Sequence, residues 1–233
     1  MSRPRPDRRP TWLAGALLML GAVASGAEEG FAPLFTADGA PTGWLVRAWD
    51  DLGTEAGPGT GWKVEGGVLR AGDRRGTWLM SDAEYADFIL EFEIKLTERG
   101  NSGVALRAPL DGDPAFDAME LQLADLRYNP GATEAELSGA IYRAIAPTEQ
   151  VYRPADWNAC RIELKGMRLK VTLNGRVVQD VDLESLDRPT RRHDGRPASP
   201  VKDRPRRGHI GFQHLSRDNE PVLIRHARIK PLG

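Results

Sequence analysis

GNSGVALRAPLDGDPAFDAMELQLAD, residues 100–125, is the stretch on which the fold turns. It reads as two strands joined by a loop. In the second strand Met119, Leu121 and Leu123 alternate with Glu120, Gln122 and Ala124. A period of two sends the two sets to opposite faces of a sheet. In the first strand Val104 and Leu106 alternate with Ala105 and Arg107. Each strand therefore has an apolar face and a face carrying Glu120, Gln122 or Arg107. Glutamate is a poor strand former and glutamine contributes little there, so two of them in mid-strand need a reason. Antiparallel sheets commonly wet one face, and solvation alone accounts for the pattern. The sharper alternative is that this face lines a sugar-binding groove, where a carboxylate, an amide and a guanidinium converge on hydroxyls.

The same alternation extends outward. Residues 87–96, DFILEFEIKL, put Phe88, Leu90, Phe92, Ile94 and Leu96 on one face and Glu91, Glu93 and Lys95 on the other. The apolar face is expected in the core and the charged face in solvent. Residues 157–165, 168–173 and 177–181 read as a meander with turns at Gly166 and Asn174-Gly175; Asn-Gly between alternating runs is a strong hairpin signal. Residues 208–214, GHIGFQH, form a strand with Ile210 and Phe212 inward and His209, Gly211 and Gln213 on the opposite face. Upstream, residues 62–70 make a hairpin around Glu65-Gly66-Gly67, residues 77–80 a short strand, and residues 138–142 a further extended segment. Phe35 is expected in the core; Trp44 is left open between the core and stacking on a sugar face. Residues 186–207 hold four prolines and many arginines. They read as the least ordered segment, either a mobile loop over the groove or a connector. Roughly a dozen short strands with Gly, Pro and Asn turns argue for an all-β sandwich.

Composition narrows the setting. A net charge of −1 gives no argument for a nucleic-acid partner. Arg3, Arg5, Arg8 and Arg9 precede an apolar run over residues 12–24 and the small residues Ser25, Gly26 and Ala27. That is the pattern of a secretory signal peptide, too short for a comfortable membrane span. Residues 1–27 are thus expected as a leader and residues 28–233 as one domain, periplasmic or secreted, with no stable membrane span after cleavage. Cys160 is the only cysteine. It is in phase with Ile162 and Leu164, which predicts a buried small apolar residue, and alone it forms no internal disulfide.

The ordered set of segments resembles the 3-keto-disaccharide hydrolase domain family. The matching stretches are residues 34–44, WKVEGGVL (62–69), YADFILEFEI (85–94), GNSGVALR (100–107), ELQLAD (120–125), SGAIY (138–142), DWN (156–158), LNG (173–175), GHIGFQ (208–213) and Ile229-Lys230. The resemblance implies a concanavalin-like jelly-roll β-sandwich of two antiparallel sheets, related in fold to glycoside hydrolase family 16 and the legume lectins. It also implies a secreted glycosidase-like enzyme acting on sugars oxidised at carbon 3. Two departures concern loops: Gln213-His214 is followed by Leu215 where the family often has a His-Gly pair, and Ala37-Asp38-Gly39 replaces a usual glycine.

A ketone at carbon 3 acidifies the proton on carbon 2. Cleavage then needs a base, an acid for the leaving oxygen, and donors or a metal at the enolate oxygen. Glu120 is expected as general base or acid and His209 as its proton-transfer partner. Arg107 and Gln122 are expected to bind the ketone or hydroxyls, with Asn101 and Gln213 behind them. Asp125 enters the site only through a bulge. A divalent cation on Glu120, Asp125 and His209 is permitted by the residue types and not demanded by their spacing. Three other readings stand beside this one. They are a conventional two-carboxylate glycosidase, a non-catalytic carbohydrate-binding module on the same fold, and a structural or interaction domain of the envelope.

Overall fold

The computed structural model describes Met1 and residues 29–218 and 220–233. The expected signal peptide falls, Met1 apart, outside the described residues. Among the described residues fifteen strands and one short α-helix follow in the order β1 (Ala32–Pro33), β2 (Trp44–Ala48), β3 (Lys63–Glu65), β4 (Val68–Arg70), β5 (Thr77–Tyr85), β6 (Phe88–Lys95), β7 (Asn101–Ala108), α1 (Pro114–Asp117), β8 (Met119–Ala124), β9 (Asn158–Lys165), β10 (Arg168–Leu173), β11 (Arg176–Asp182), β12 (Thr190–Arg191), β13 (Pro197–Ala198), β14 (Gly208–His214) and β15 (Leu223–Pro231). All but β12 and β13, which pair with each other, build two antiparallel sheets, the jelly-roll sandwich expected. One sheet runs β11-β10-β9-β6-β15-β4-β3 with β1 added on β15; the other runs β2-β5-β14-β7-β8.

The main core lies between the sheets. Phe88, Leu90, Phe92 and Ile94 of β6 meet Val104, Leu106, Leu121, Leu123, Ile210 and Phe212 of the second sheet there. Cys160 is buried with them, and desolvation pushes its thiol up. Trp44 joins this side: its ring lies 5.1 Å from Phe35 and 6.1 Å from Phe212, so it packs against the core. The turn at Asn174-Gly175 is made as expected, with Asn174 at φ +50° and Gly175 at φ +79°, the left-handed pair an Asn-Gly hairpin uses.

The two sheets differ in their outer faces. Along β6 the residues alternate buried and half-buried, whereas every residue of β7 and β8 is buried. The face carrying Glu120 and Gln122 is therefore roofed. Part of the roof is an apolar plug in which Leu52, from the loop after β2, sits on Trp78, Met80, Ala105, Ala108 and Ala118. The rest comes from α1, from residues 125–143 and from the arm at residues 186–207. The arm corrects the expectation of low order. It forms the β12–β13 hairpin and buries Arg204, which donates to the carbonyls of Ala115 and Ala118, to Ser199 O and to Thr190 Oγ1. Residues 138–142 also depart from the extended reading. They form a turn joined by isolated bridges of Ile141 to Leu121 and Ile145.

Candidate active site

A cleft of about 650 Å³ opens on what remains of the roofed face. Glu120, Gln122, Asn101 and Gln213 line its floor; Asp113, Tyr142, His193 and Trp49 line its walls. Glu120 lies opposite Ala105 in the β7–β8 register, and Gln122 opposite Gly103. Gly103 has a specific task, because a Cβ there would overlap the Glu120 carboxyl. The missing side chain lets that carboxyl lie over β7. Glu120 is 3% exposed, and its Oε1 is buried without a hydrogen-bond partner among the described residues. Asn101 Oδ1, two residues along the same face from Gly103, is likewise buried and unpartnered. Leaving a buried acceptor unsatisfied costs about 1–3 kcal/mol. A bound ligand with hydroxyl donors offsets that cost.

The electrostatics separate the carboxyls. Burial, with a smaller contribution from the Asp113 charge, pushes the Glu120 carboxyl well above the usual carboxylate range. Asp113 caps α1, accepting from Ala115 N at 3.0 Å, yet burial raises it to about 6. Asp125 also lines the cleft. Burial works to raise it, but Arg127 outweighs burial and holds it low: Asp125 Oδ1 accepts from Arg127 N and Nε, each at 2.8 Å, and Oδ2 accepts from Nη2 at 2.9 Å. The cleft thus presents Glu120, which burial biases toward the protonated form, near Asp113, which is raised to about 6. Divergent values in paired groups mark an acid and a base.

The arm brings in an aromatic contact. His193 lies 5.1 Å from the Phe116 ring, 5.9 Å from Tyr142 and 6.1 Å from Trp49. Burial, with the Arg143 charge behind it, lowers its pKa and favours the neutral imidazole. Arg192 anchors the arm on both carboxylate oxygens of Asp117. Asp113, Tyr142 and His193 are not among the site residues expected from the sequence. Asp113 sits in a loop without periodicity, and His193 in an arginine-rich arm, so neither carried a pattern that could single it out.

Of the residues expected in the site, Glu120, Gln122, Asn101, Gln213 and Asp125 come together. Gln122 does so with its Oε1 accepting from Leu123 N at 2.9 Å. Arg107 does not join them. β14 pairs His209 with Ala108 but Gly211 with Ala105, so β7 carries one extra residue between those pairs. Arg107 lies in this bulge at φ +56°, which turns it off the cleft face. Its guanidinium is spent on Ala86 O, Gly166 O at 2.9 Å and Asp87 Oδ1 at 2.9 Å, a clamp across two turns. His209 also lies apart. It is four residues from Gln213 along β14, roughly 13 Å at the rise of a strand, with Nδ1 2.7 Å from Ser81 O and Nε2 3.7 Å from Glu84. It lines no part of the cleft and is not placed as Glu120's partner. Among the described residues no three His, Cys, Asp or Glu side chains cluster as a metal site, so Glu120, Asp125 and His209 do not form the cation site considered above.

The fold and the site define a jelly-roll β-sandwich with a cleft of buried polar side chains on one sheet. A family model described as 3-keto-alpha-glucoside-1,2-lyase-like domain matches residues 30–230, and the chain belongs to that family. Its structure is similar to a crystal structure from Parabacteroides distasonis ATCC 8503 named "Putative glycosyl hydrolase", with a TM-score of 0.70 and 26% identity over 87% of this chain and 99% of that one. A second protein of the same description and organism shares the fold at a TM-score of 0.68 and 24% identity, over 88% of this chain and 95% of that one. No curated protein matches the sequence. The family and the first neighbour support a carbohydrate-related, glycosidase-type function.

Proposed function

We propose that this domain is an exported enzyme that cleaves the glycosidic bond of 3-keto sugars, with Glu120 as general acid and Asp113 as general base. The observation that carries the reading is Glu120: a carboxyl buried on the cleft floor, unpartnered at Oε1 and biased by burial toward its protonated form, with room made for it by Gly103. In the proposed step the Asp113 carboxylate takes the proton from carbon 2. The electron pair forms the carbon 1–carbon 2 double bond as the carbon 1–oxygen bond breaks, and Glu120 gives its proton to the leaving oxygen. The ketone at carbon 3 carries the enolate charge in the transition state. Asn101, Gln122 and Gln213 bind hydroxyls, while Trp49, Tyr142 and His193 exclude water and stack on the ring. Addition of water across the double bond afterwards gives net hydrolysis; its omission gives elimination.

Asp113 also favours a second reading. Two carboxyls with separated pKa values are what a conventional glycosidase uses on an unoxidised sugar. The test is to incubate the protein with 3-keto disaccharides and their unoxidised parents beside Glu120→Gln. Release of a 3-keto monosaccharide or its 2-ene, lost in the variant, is the expected result. Cleavage of the parents alone would establish the conventional mechanism instead. Saturable glycan binding without turnover of either class would leave a carbohydrate-binding module.

A further inference from the structure

Three arginines line the cleft: Arg75, Arg143 and Arg217. Arg143 donates from Nε to Glu136 at 2.7 Å and is neutralised. Arg75 and Arg217 have no carboxylate partner among the described residues. Both instead address one ring, Tyr128. Arg75 Nη2 donates to its hydroxyl at 3.0 Å, and the Arg217 guanidinium stands 4.9 Å from its centroid. The sheet explains how they meet. His214 of β14 pairs with Thr77 of β5, so the residues just beyond both strands leave the same end of the sheet side by side. Leu215 N then bonds to Asn101 O and Arg217 N to Arg99 O, which continues the ladder past the strand end and lays Arg217 beyond Asn101. Glu120, by contrast, is level with Ala105. The cleft is therefore polarised along its length. Asp113, Glu120 and the paired Glu136 occupy one region; the other holds two unneutralised guanidinia beside Asp125, whose charge Arg127 neutralises. The field of Arg75 reaches inward, where after burial it is the largest influence holding buried His214 down at about 4.

We propose that Arg75 and Arg217, braced by Tyr128, form a subsite for an anionic group on the glycoside, a carboxylate, sulfate or phosphate one or more rings away from the bond that is cleaved. This rests on the reading of the cleft as a sugar site and adds the charge class of its ligand. Guanidinia suit the task because their planar donors take oxyanions in pairs. Stacking on Tyr128 also limits the side-chain freedom lost on binding.

The test is calorimetric binding of a neutral disaccharide, its uronic-acid counterpart and its sulfated and phosphorylated counterparts, to the protein and to the double variant Arg75→Gln/Arg217→Gln. The same aglycone pairs would be run as 3-keto substrates. At least one anionic probe is expected to bind about tenfold more tightly than the neutral one at low salt, with the preference shrinking as salt rises and collapsing toward unity in the double variant. Which anion gains most identifies the group. Equal binding of neutral and anionic probes, or a preference that survives in the double variant, overturns the subsite. Turnover of neutral 3-keto glycosides without any anion preference would remove the subsite and leave the catalytic reading. Anion-selective sugar binding lost in the double variant, with no 3-keto turnover, would do the reverse.

Discussion

The two outer faces of the sandwich carry similar sequence and opposite physics. On β6, Glu91 and Glu93 alternate with core residues just as Glu120 and Gln122 do on β8. Yet the β6 carboxylates are neutralised. Glu91 is paired with Arg161 and with Arg228 at 2.6 Å, and Glu93 with Arg225 at 2.7 Å, while Arg161 also reaches Glu163 at 2.9 Å. Arg225 in turn covers the Trp157 ring at 4.1 Å. This is a half-exposed ion ladder that satisfies itself. Glu120 is buried without a cation partner among the described residues, and burial raises its carboxyl well above the usual range. Alternation with charge therefore does not identify a site; a charge that is roofed and left unpaired does.

The same chemical change on the two faces should separate them most widely. Glu120→Gln is expected to lower kcat/KM on 3-keto glycosides by about 10²–10⁴-fold, the usual contribution of a positioned acid. The pH profile comes next. Activity should fall about tenfold per unit below pH 6, as Asp113 takes up a proton, and fall again as pH rises through the raised pKa of Glu120. Stability carries a related sign. The folded state holds the Glu120 proton above the pH at which the unfolded chain releases it, so this group's contribution to stability declines as pH rises through its folded pKa. Thermal melts of Glu120→Gln against the parent should accordingly show a gap in the variant's favour that widens as pH rises from the usual carboxylate range to the raised folded pKa and is level above it. A gap independent of pH would mean that Glu120 is ionised in the fold.

Gly103→Ala probes the space rather than the charge. The added methyl must displace the Glu120 carboxyl, an overpacking expected to cost about 1–3 kcal/mol and to lower kcat more than it raises KM. Unchanged kcat with an unchanged melting temperature would show that the carboxyl does not need its seat over β7. The smallest effect is reserved for the outer face. Glu91→Gln should lower stability by no more than about 1 kcal/mol, with activity intact, as expected for a partly exposed ion pair. An activity loss there would erase the distinction between the faces.

Much of the sandwich was legible in the sequence. The apolar faces of β6, β8 and β14, the hairpins at Gly166 and Asn174-Gly175, and the burial of Cys160 all follow from a period of two and from turn chemistry, which are local properties of the chain. So was the floor of the cleft, because Glu120 and Gln122 are costly residues to place in a strand. Three things were settled only in three dimensions. The bulge that removes Arg107 from the cleft depends on how β7 registers against β14, more than a hundred residues away in sequence. The separation of His209 from Glu120 depends on how far apart their positions fall in the sheet. The arrival of Asp113, Tyr142 and His193 depends on α1, the 125–143 loop and the arm folding onto one face, held there by Arg204 and Arg192. Side-chain alternation is set by covalent geometry within a few residues. Whether a polar face meets water, a counter-ion or a roof is decided by segments distant along the chain, and here that decision makes one glutamate a candidate catalyst and leaves another in a surface ladder.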